Sequence, residues 1–266
     1  MTAHNAYARF AEGLSSEWRR STVGSAFLRT GATGLILGNE SASQYAYTNA
    51  QIDDYRSLPR SRFPWRPPLR LSLRARFSHD SGQLNGTAGF GCWNDPLRMT
   101  GLPRVALPQA LWFFYADPDA AMPLALDQPA WGWKASVIDT RTSRFLLRAP
   151  LLALAAPLTR MPNLYRSLWP SVQRAAGIAE RTVPAAMTDW HIYTIDWQLE
   201  RVSFCLDGTL LTETSHVPVG PLGLVIWLDN QFLQFTPWGK FKWGLVEKSE
   251  VQWLEIDWLA VETADA

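Results

Sequence analysis

Thiol chemistry is nearly absent from this chain: 266 residues hold two cysteines, Cys92 and Cys205. Neither belongs to a Cys-x-x-Cys pair, so a cysteine-rich metal site is excluded, while one disulfide or two free thiols both satisfy the sequence. Histidine is almost as scarce, with four in all, and no His-x-His or His-Glu-x-x-His spacing occurs. That removes the usual catalytic zinc frameworks, and no oxygen-rich calcium loop is visible either. A basic block is missing too. The formal net charge is +1 and the arginines fall singly, as at Arg74, Arg76, Arg98 and Arg104, so nothing forms the electrostatic footprint of a nucleic-acid partner. The glycines at Gly86 to Gly91 open a strand-like run, not a helix, and so offer no dipole for phosphate. Met1 to Leu14 lacks the apolar run of a secretory leader, so cytoplasmic residence is the expectation.

What the chain has is apolar bulk. Apolar residues make up 47% of it and charged residues 18%, enough to close a large core. Fourteen tryptophans are an excess. Each carries a wide ring and one N–H that wants a partner, which suits a sandwich core and a sugar-binding surface equally.

The hydrophobic pattern is that of strands. Leu69, Leu71, Leu73, Ala75 and Phe77 alternate with Arg70, Ser72, Arg74 and Arg76, the period of a half-buried strand. Ala26 to Thr30, Gly34 to Gly38, Gly86 to Trp93, Ala110 to Tyr115, Trp133 to Asp139, Leu222 to Leu228 and Trp253 to Val261 are further strand-like runs. Trp190 to Trp197 alternates, and Asp207-Gly208 supplies a tight turn after Arg201 to Leu206. Residues 143–181 break the pattern with leucines near helical spacing, divided by Pro150, Pro157, Pro162 and Pro170. The expected organisation is an irregular arm over 1–20 and one all-β domain of two packed antiparallel sheets over 21–262. A helical insertion at 143–181 interrupts it and is expected to pack on the sandwich, lid a cleft, or meet a protein or membrane surface.

Four segments carry a family resemblance. They are Ala46 to Ile52; Gly89-Phe90-Gly91-Cys92-Trp93-Asn94-Asp95; Trp190-His191-Ile192-Tyr193-Thr194-Ile195-Asp196-Trp197 followed by Val202 to Gly208; and Leu254-Glu255-Ile256-Asp257-Trp258-Leu259-Ala260-Val261. In order and spacing the chain resembles the concanavalin A-like lectin and glucanase superfamily, in the bacterial branch near the laminarinases and β-glucanases. The resemblance implies a jelly-roll sandwich whose concave sheet holds a carbohydrate. It also implies a structural calcium in some members, with Asp257 as the position to inspect and no other cofactor.

The family's catalytic strand reads Glu-x-Asp-x-x-Glu or Glu-x-Asp-x-Glu, which sets a nucleophile and an acid about 5–5.5 Å apart. Glu255-Ile256-Asp257 imitates it but sits in the final strand, and Glu262 has the wrong parity on a regular strand. The middle positions hold Ala110 to Tyr115 and Lys134 to Asp139, without the triplet. The fold is therefore carried over and the activity is not.

Candidate ligand-binding residues are Trp93, Asn94, Asp95, Trp112, Trp133, Trp227, Asp229 and Asn230, because rings for stacking adjoin polar groups at strand ends. Trp131 and Trp238 are further available rings. His191 is the one histidine in a well-formed strand, and parity keeps Asp196 from orienting it, so a partner would have to come from elsewhere. Three functions stay open. One is a lectin-like carbohydrate binder; another is a glycoside hydrolase with displaced carboxylates, for which Asp95, Asp139 and Asp229 are the acids to inspect. The third is an enzyme or binding protein for an apolar small molecule under the 143–181 helices.

Overall fold

A computed structural model describes residues 6–96, 106–120, 124–143, 145–147, 161–235 and 241–263. The strands run β1 (Ala6–Arg9), β2 (Arg19–Val23), β3 (Ala26–Thr30), β4 (Leu35–Asn39), β5 (Asn49–Asp53), β6 (Leu69–Phe77), β7 (Thr87–Trp93), β8 (Gln109–Ala116) and β9 (Gly132–Asp139). Helix α1 (Pro162–Ala175) follows. Then come β10 (Ala179–Thr182), β11 (His191–Trp197), β12 (Val202–Leu206), β13 (Thr209–Thr214), β14 (Gly223–Asp229), β15 (Gln231–Phe235), β16 (Phe241–Leu245) and β17 (Gln252–Thr263).

Two antiparallel sheets pack face to face. The first has the order β13-β12-β11-β6-β17-β4-β3, with β1 on β17; the second has the order β10-β9-β8-β7-β14-β5-β2. This is the expected all-β sandwich. The alternation read in the sequence decides which way each residue points. Leu69, Leu71, Leu73, Ala75 and Phe77 are all buried between the sheets, opposite Ala88, Phe90 and Cys92 of β7. Rings stitch the layers together: Tyr193 of the first sheet lies 5.1 Å from Phe90, 5.0 Å from Phe113 and 5.7 Å from Trp133 of the second. Such edge-to-face pairs stabilise beyond their buried area.

Trp133, expected as a ligand residue, is 1% exposed in this core. It shares parity with Ala135 and Val137, so the pleat turns it inward. The cysteines are free for the same kind of reason: Cys92 is in the core and Cys205 has the outward parity of Ser203.

Three expectations change. Residues 1–20 are not an irregular arm throughout, because Ala6–Arg9 pair with β17 and Phe10 enters the core. The insertion is helical from Ser143 and over α1, but Ala179–Thr182 return as the edge strand on β9. Residues 148–160 of it lie outside the described residues. Finally, a bulge between Ile256 and Trp258 shifts the phase of β17. Leu254 and Ile256 face the core before it, Leu259 and Val261 after it, so Glu262 shares the outer face with Asp257 after all.

Trp133→Ala is expected to destabilise the fold by about 3–5 kcal/mol, measured by urea denaturation. A loss below about 1 kcal/mol would remove Trp133 from the centre of the core.

Candidate functional site

The outward residues of the second sheet form laterally paired rows. One row runs Ser21, Gln51, Trp227, Gly89, Phe114, Lys134. The next runs Arg19, Asp53, Val225, Gly91, Trp112, Ser136, Glu180. Trp93 pairs with Gly223 and Ala110 one row further. Period-two geometry puts all of these on one face. Its centre is aromatic, with polar groups towards β2 and β5 on one side and towards β9 and β10 on the other.

The rings touch one another. Trp112 lies 5.9 Å from Trp93, 5.4 Å from Phe114 and 5.5 Å from Trp227, and Phe114 lies 6.0 Å from Trp227. Glycine makes the convergence possible: a Cβ on Gly89 would stand 2.9 Å from the Trp227 ring, and one on Gly91 2.6 Å from the Trp112 Cβ. Tyr55, Leu58 and Phe63 fold over the β5 side of this floor. The Tyr55 hydroxyl accepts the Trp93 Nε1–H at 2.6 Å, and the Thr87 hydroxyl accepts that of Trp227 at 2.9 Å. Trp93, Trp112 and Phe114 keep part of their surface open.

Beside the floor, between β2, β5 and the end of β7, is a pocket of about 90 Å³ lined by Ser21, Val23, Tyr47, Asn49, Gln51, Tyr55, Trp93 and Asp95. Asp95 has φ 43°, a conformation that Asp and Asn tolerate best after glycine. Arg60 holds that turn by donating to the carbonyls of Asn94 at 3.0 Å, Asp95 at 2.5 Å and Pro96 at 3.1 Å.

Of the residues expected from sequence, Trp93, Asp95, Trp112 and Trp227 come together on this face. The others are placed differently. Asn94 bridges the strand ends, donating to the Leu107 carbonyl at 2.8 Å and accepting the Gln109 N–H at 3.0 Å. Asn230 is fully buried; it accepts from Thr48 N–H and donates to the carbonyls of Ser43, Ala46 and Val246. Its amide is engaged by backbone and is no ligand group. Asp229 accepts four bonds, from the Thr87 N–H and hydroxyl and from the Gln231 N–H and side-chain amide.

His191 belongs to the other sheet. Its Nδ1 lies 2.6 Å from Asp207 of the β12–β13 turn, which also accepts the Ile192 N–H. Burial alone would raise the Asp207 carboxyl, but the Ile192 N–H and His191 outweigh it and hold it below the usual range. Asp257 faces outward at the bulge, 2.7 Å from the Arg74 guanidinium, which also lies over the Trp190 ring at 4.5 Å. These residues do not fit a calcium. A guanidinium already holds the carboxylate, and among the described residues no three His, Cys, Asp or Glu side chains gather as a metal cluster.

The three acids expected for hydrolysis are dispersed. Asp229 pairs across from Thr87, and Asp95 follows β7 at its other end. At about 3.3 Å per residue, the six strand steps from Thr87 to Trp93 alone are roughly 20 Å, far beyond the separation of a glycosidase pair. Asp139 has core-facing parity and accepts from Gln109 Nε2 at 2.8 Å. Other acids on the face are engaged: Asp53 by Arg56 at 2.6 Å and Glu180, its carboxyl raised by burial, by Lys134 at 3.5 Å. Sequence reasoning missed Phe114, Ser21, Tyr47, Asn49, Gln51 and Tyr55. The alternation of Asn49, Gln51 and Asp53 with Ala50 and Ile52 is the signal that could have found the polar edge.

No protein-family model matches the chain, and no curated protein sequence does. Solved structures do match in fold. A Crh5 transglycosylase in complex with NAG superposes with TM-score 0.54 at 12% identity, covering 98% of this chain and 84% of that one. Endo-β-1,3-glucanase from Pyrococcus furiosus gives TM-score 0.52 at 11% identity over 97% and 93% of the two chains. Bacillus licheniformis β-glucanase gives 0.50 at 9% identity over 99% and 100%. The likeness establishes the concanavalin A-like fold.

Burial pushes the Asp229 carboxyl up to about 6, overcoming the donors from Gln231 and Thr87. Its folded pKa is then above the unfolded value, so its contribution is complete below about pH 4 and is lost as pH rises to about 6. Asp229→Asn is therefore expected to gain on the order of 2 kcal/mol relative to wild type between pH 4 and pH 7. Urea denaturation across that range checks it; a pH-independent difference contradicts it.

Proposed function

We propose that the protein binds carbohydrate on the outer face of its second sheet and lacks the paired acids of a glucanase. One observation carries the reading: the contiguous floor of Trp93, Trp112, Phe114 and Trp227, bordered by side-chain amides and hydroxyls. Indole faces stack on the apolar C–H faces of sugar rings while neighbouring polar groups bind hydroxyls. The solved structures of like fold include glucanases and a transglycosylase in complex with NAG, which favours the same ligand class.

The non-catalytic part rests on β8 and β9. Of the two middle positions the resemblance offers for a carboxylate-bearing strand, β8 turns Ala110, Trp112, Phe114 and Ala116 outward and β9 turns Lys134, Ser136 and Ile138 outward. An aromatic ring can hold a saccharide but can neither attack an anomeric carbon nor protonate a leaving oxygen.

A second reading, an apolar small molecule at the β9 and β10 end, is favoured by the cover there. Trp169 of α1 donates to the Leu124 carbonyl at 2.8 Å, and Glu180 accepts the Ala125 N–H at 3.2 Å, which sets residues 124–125 between α1 and β10.

Calorimetric titration with laminaritriose, cellotriose and chitotriose tests the proposal. At least one should bind, and Trp112→Ala should weaken it by about tenfold or more without release of reducing sugar from laminarin or mixed-linkage β-glucan. Release of reducing sugar would return the hydrolase with displaced carboxylates. Binding of a fatty acid but of no saccharide would favour the second reading.

A further inference from the structure

We infer that the β15–β16 hairpin carries a second stacking platform, the Trp243 ring, and that the ligand is a linear oligosaccharide lying along the strands from the Trp93–Trp227 floor onto that ring. The inference rests on carbohydrate being the ligand of this face.

The floor has a direction. Its rings step along the strands: Trp93 is level with Gly223, Trp112 with Val225 and Phe114 with Trp227. Two residues further, Asp229 is level with Asn49 and Thr87 and shares the outward parity of Trp227. The chain then passes through Asn230 into the hairpin. Asn230 is pinned at that corner: its carbonyl accepts the Val246 N–H at 2.8 Å, and its side-chain amide donates to the Val246 carbonyl at 3.3 Å. Further out, Gln234 donates to the Asp119 carbonyl at 2.7 Å. Held at both places, the hairpin presents a fixed surface.

Strand pairing decides which surface that is. Leu233 lies opposite Trp243 and Gln231 opposite Leu245, so these four side chains share one face of the hairpin. Phe232 is buried on the other, with Lys242 over its ring at 5.1 Å. The Gln231 face is the one turned to the floor, since the Gln231 Nε2–H reaches Asp229 at 2.9 Å. Hydrogen bonds then run unbroken from floor to hairpin. The Trp227 Nε1–H donates to the Thr87 hydroxyl at 2.9 Å, and that hydroxyl donates to Asp229 at 2.8 Å. Gln231 carries the relay on from Asp229, accepting the Trp243 Nε1–H on its Oε1 at 2.8 Å.

Trp243 is the open end of this relay, 55% exposed. Its one donor is spent on Gln231, so the faces of its ring are what it has left to offer. The bridge between the two platforms is already satisfied, with four bonds on the Asp229 carboxylate and both ends of the Gln231 amide in use. A saccharide crossing it is therefore held by stacking on either side. From Gly223 to Asp229 the strand takes six steps, roughly 20 Å at about 3.3 Å per residue. Trp243 is reached only after β14 has ended, through Gln231, so a ligand touching Trp93 and Trp243 together is a chain longer than a trisaccharide.

Calorimetry with laminaritriose, cellotriose and chitotriose against the corresponding hexasaccharides tests the inference. For the sugar that binds best, the hexasaccharide should bind wild type about tenfold or more tighter than the trisaccharide. In Trp243→Ala that gain should shrink to about fourfold or less, the advantage a longer chain has from sliding over a single floor. If Trp243→Ala fails to fold, Trp243→Thr, whose β-branched side chain suits a strand, carries the same expectation. A wild-type gain of about fourfold or less, or a gain that survives the Trp243 substitution, overturns the inference. The floor then still stands if Trp112→Ala weakens the trisaccharide. Failure of wild type to bind any of the six sugars overturns both.

Discussion

Side-chain alternation across the seven-stranded sheet is the constraint on which everything else depends. Each strand of that sheet sends one set of residues into a shared core and the other set outward, and lateral pairing aligns the outward sets into rows. The core set fixes the register, since a slip of one residue would bring Trp112 into the core and Phe113 out of it. The outward set is then free to vary in chemistry without endangering the fold. On β7, β8 and β14 it forms a floor of rings, with polar and charged groups on the strands to either side.

The electrostatics are consistent with binding. Several carboxylates on this face are already engaged. Asp229 is enclosed by four donors, Asp53 is held by Arg56, and Glu180 is held by Lys134. Removing such groups from water raises their pKa unless donors or cations compensate. The aromatic floor carries no such penalty. It gains instead from contact between rings, with Gly89 and Gly91 giving the rings room to meet.

Much of this was legible in the sequence, and the failures have physical causes. The strict alternation of Leu69 to Phe77 and of His191 to Trp197 declared half-buried strands, and both are central strands of one sheet. Trp133 was misassigned although Ala135 and Val137 share its parity and Lys134 and Ser136 oppose it. In β8 no such signal exists, because Leu111, Phe113 and Tyr115 face the core while Trp112 and Phe114 face outward, and both sets are apolar. Composition cannot separate two apolar faces. The partner of His191 was illegible for another reason: Asp207 lies in the Asp-Gly turn, and only the pairing of β11 with β12 brings it back. The phase of β17 depends on a one-residue bulge that leaves no mark on composition.

The most direct measurement is the perturbation of tryptophan indole N–H resonances during titration with a trisaccharide. A ligand on the outer face should move the signals of Trp93, Trp112 and Trp227 and leave those of Trp133 and Trp197, sealed between the sheets, where they are. Movement of the sealed pair with the outer three unchanged would contradict the assignment of this face.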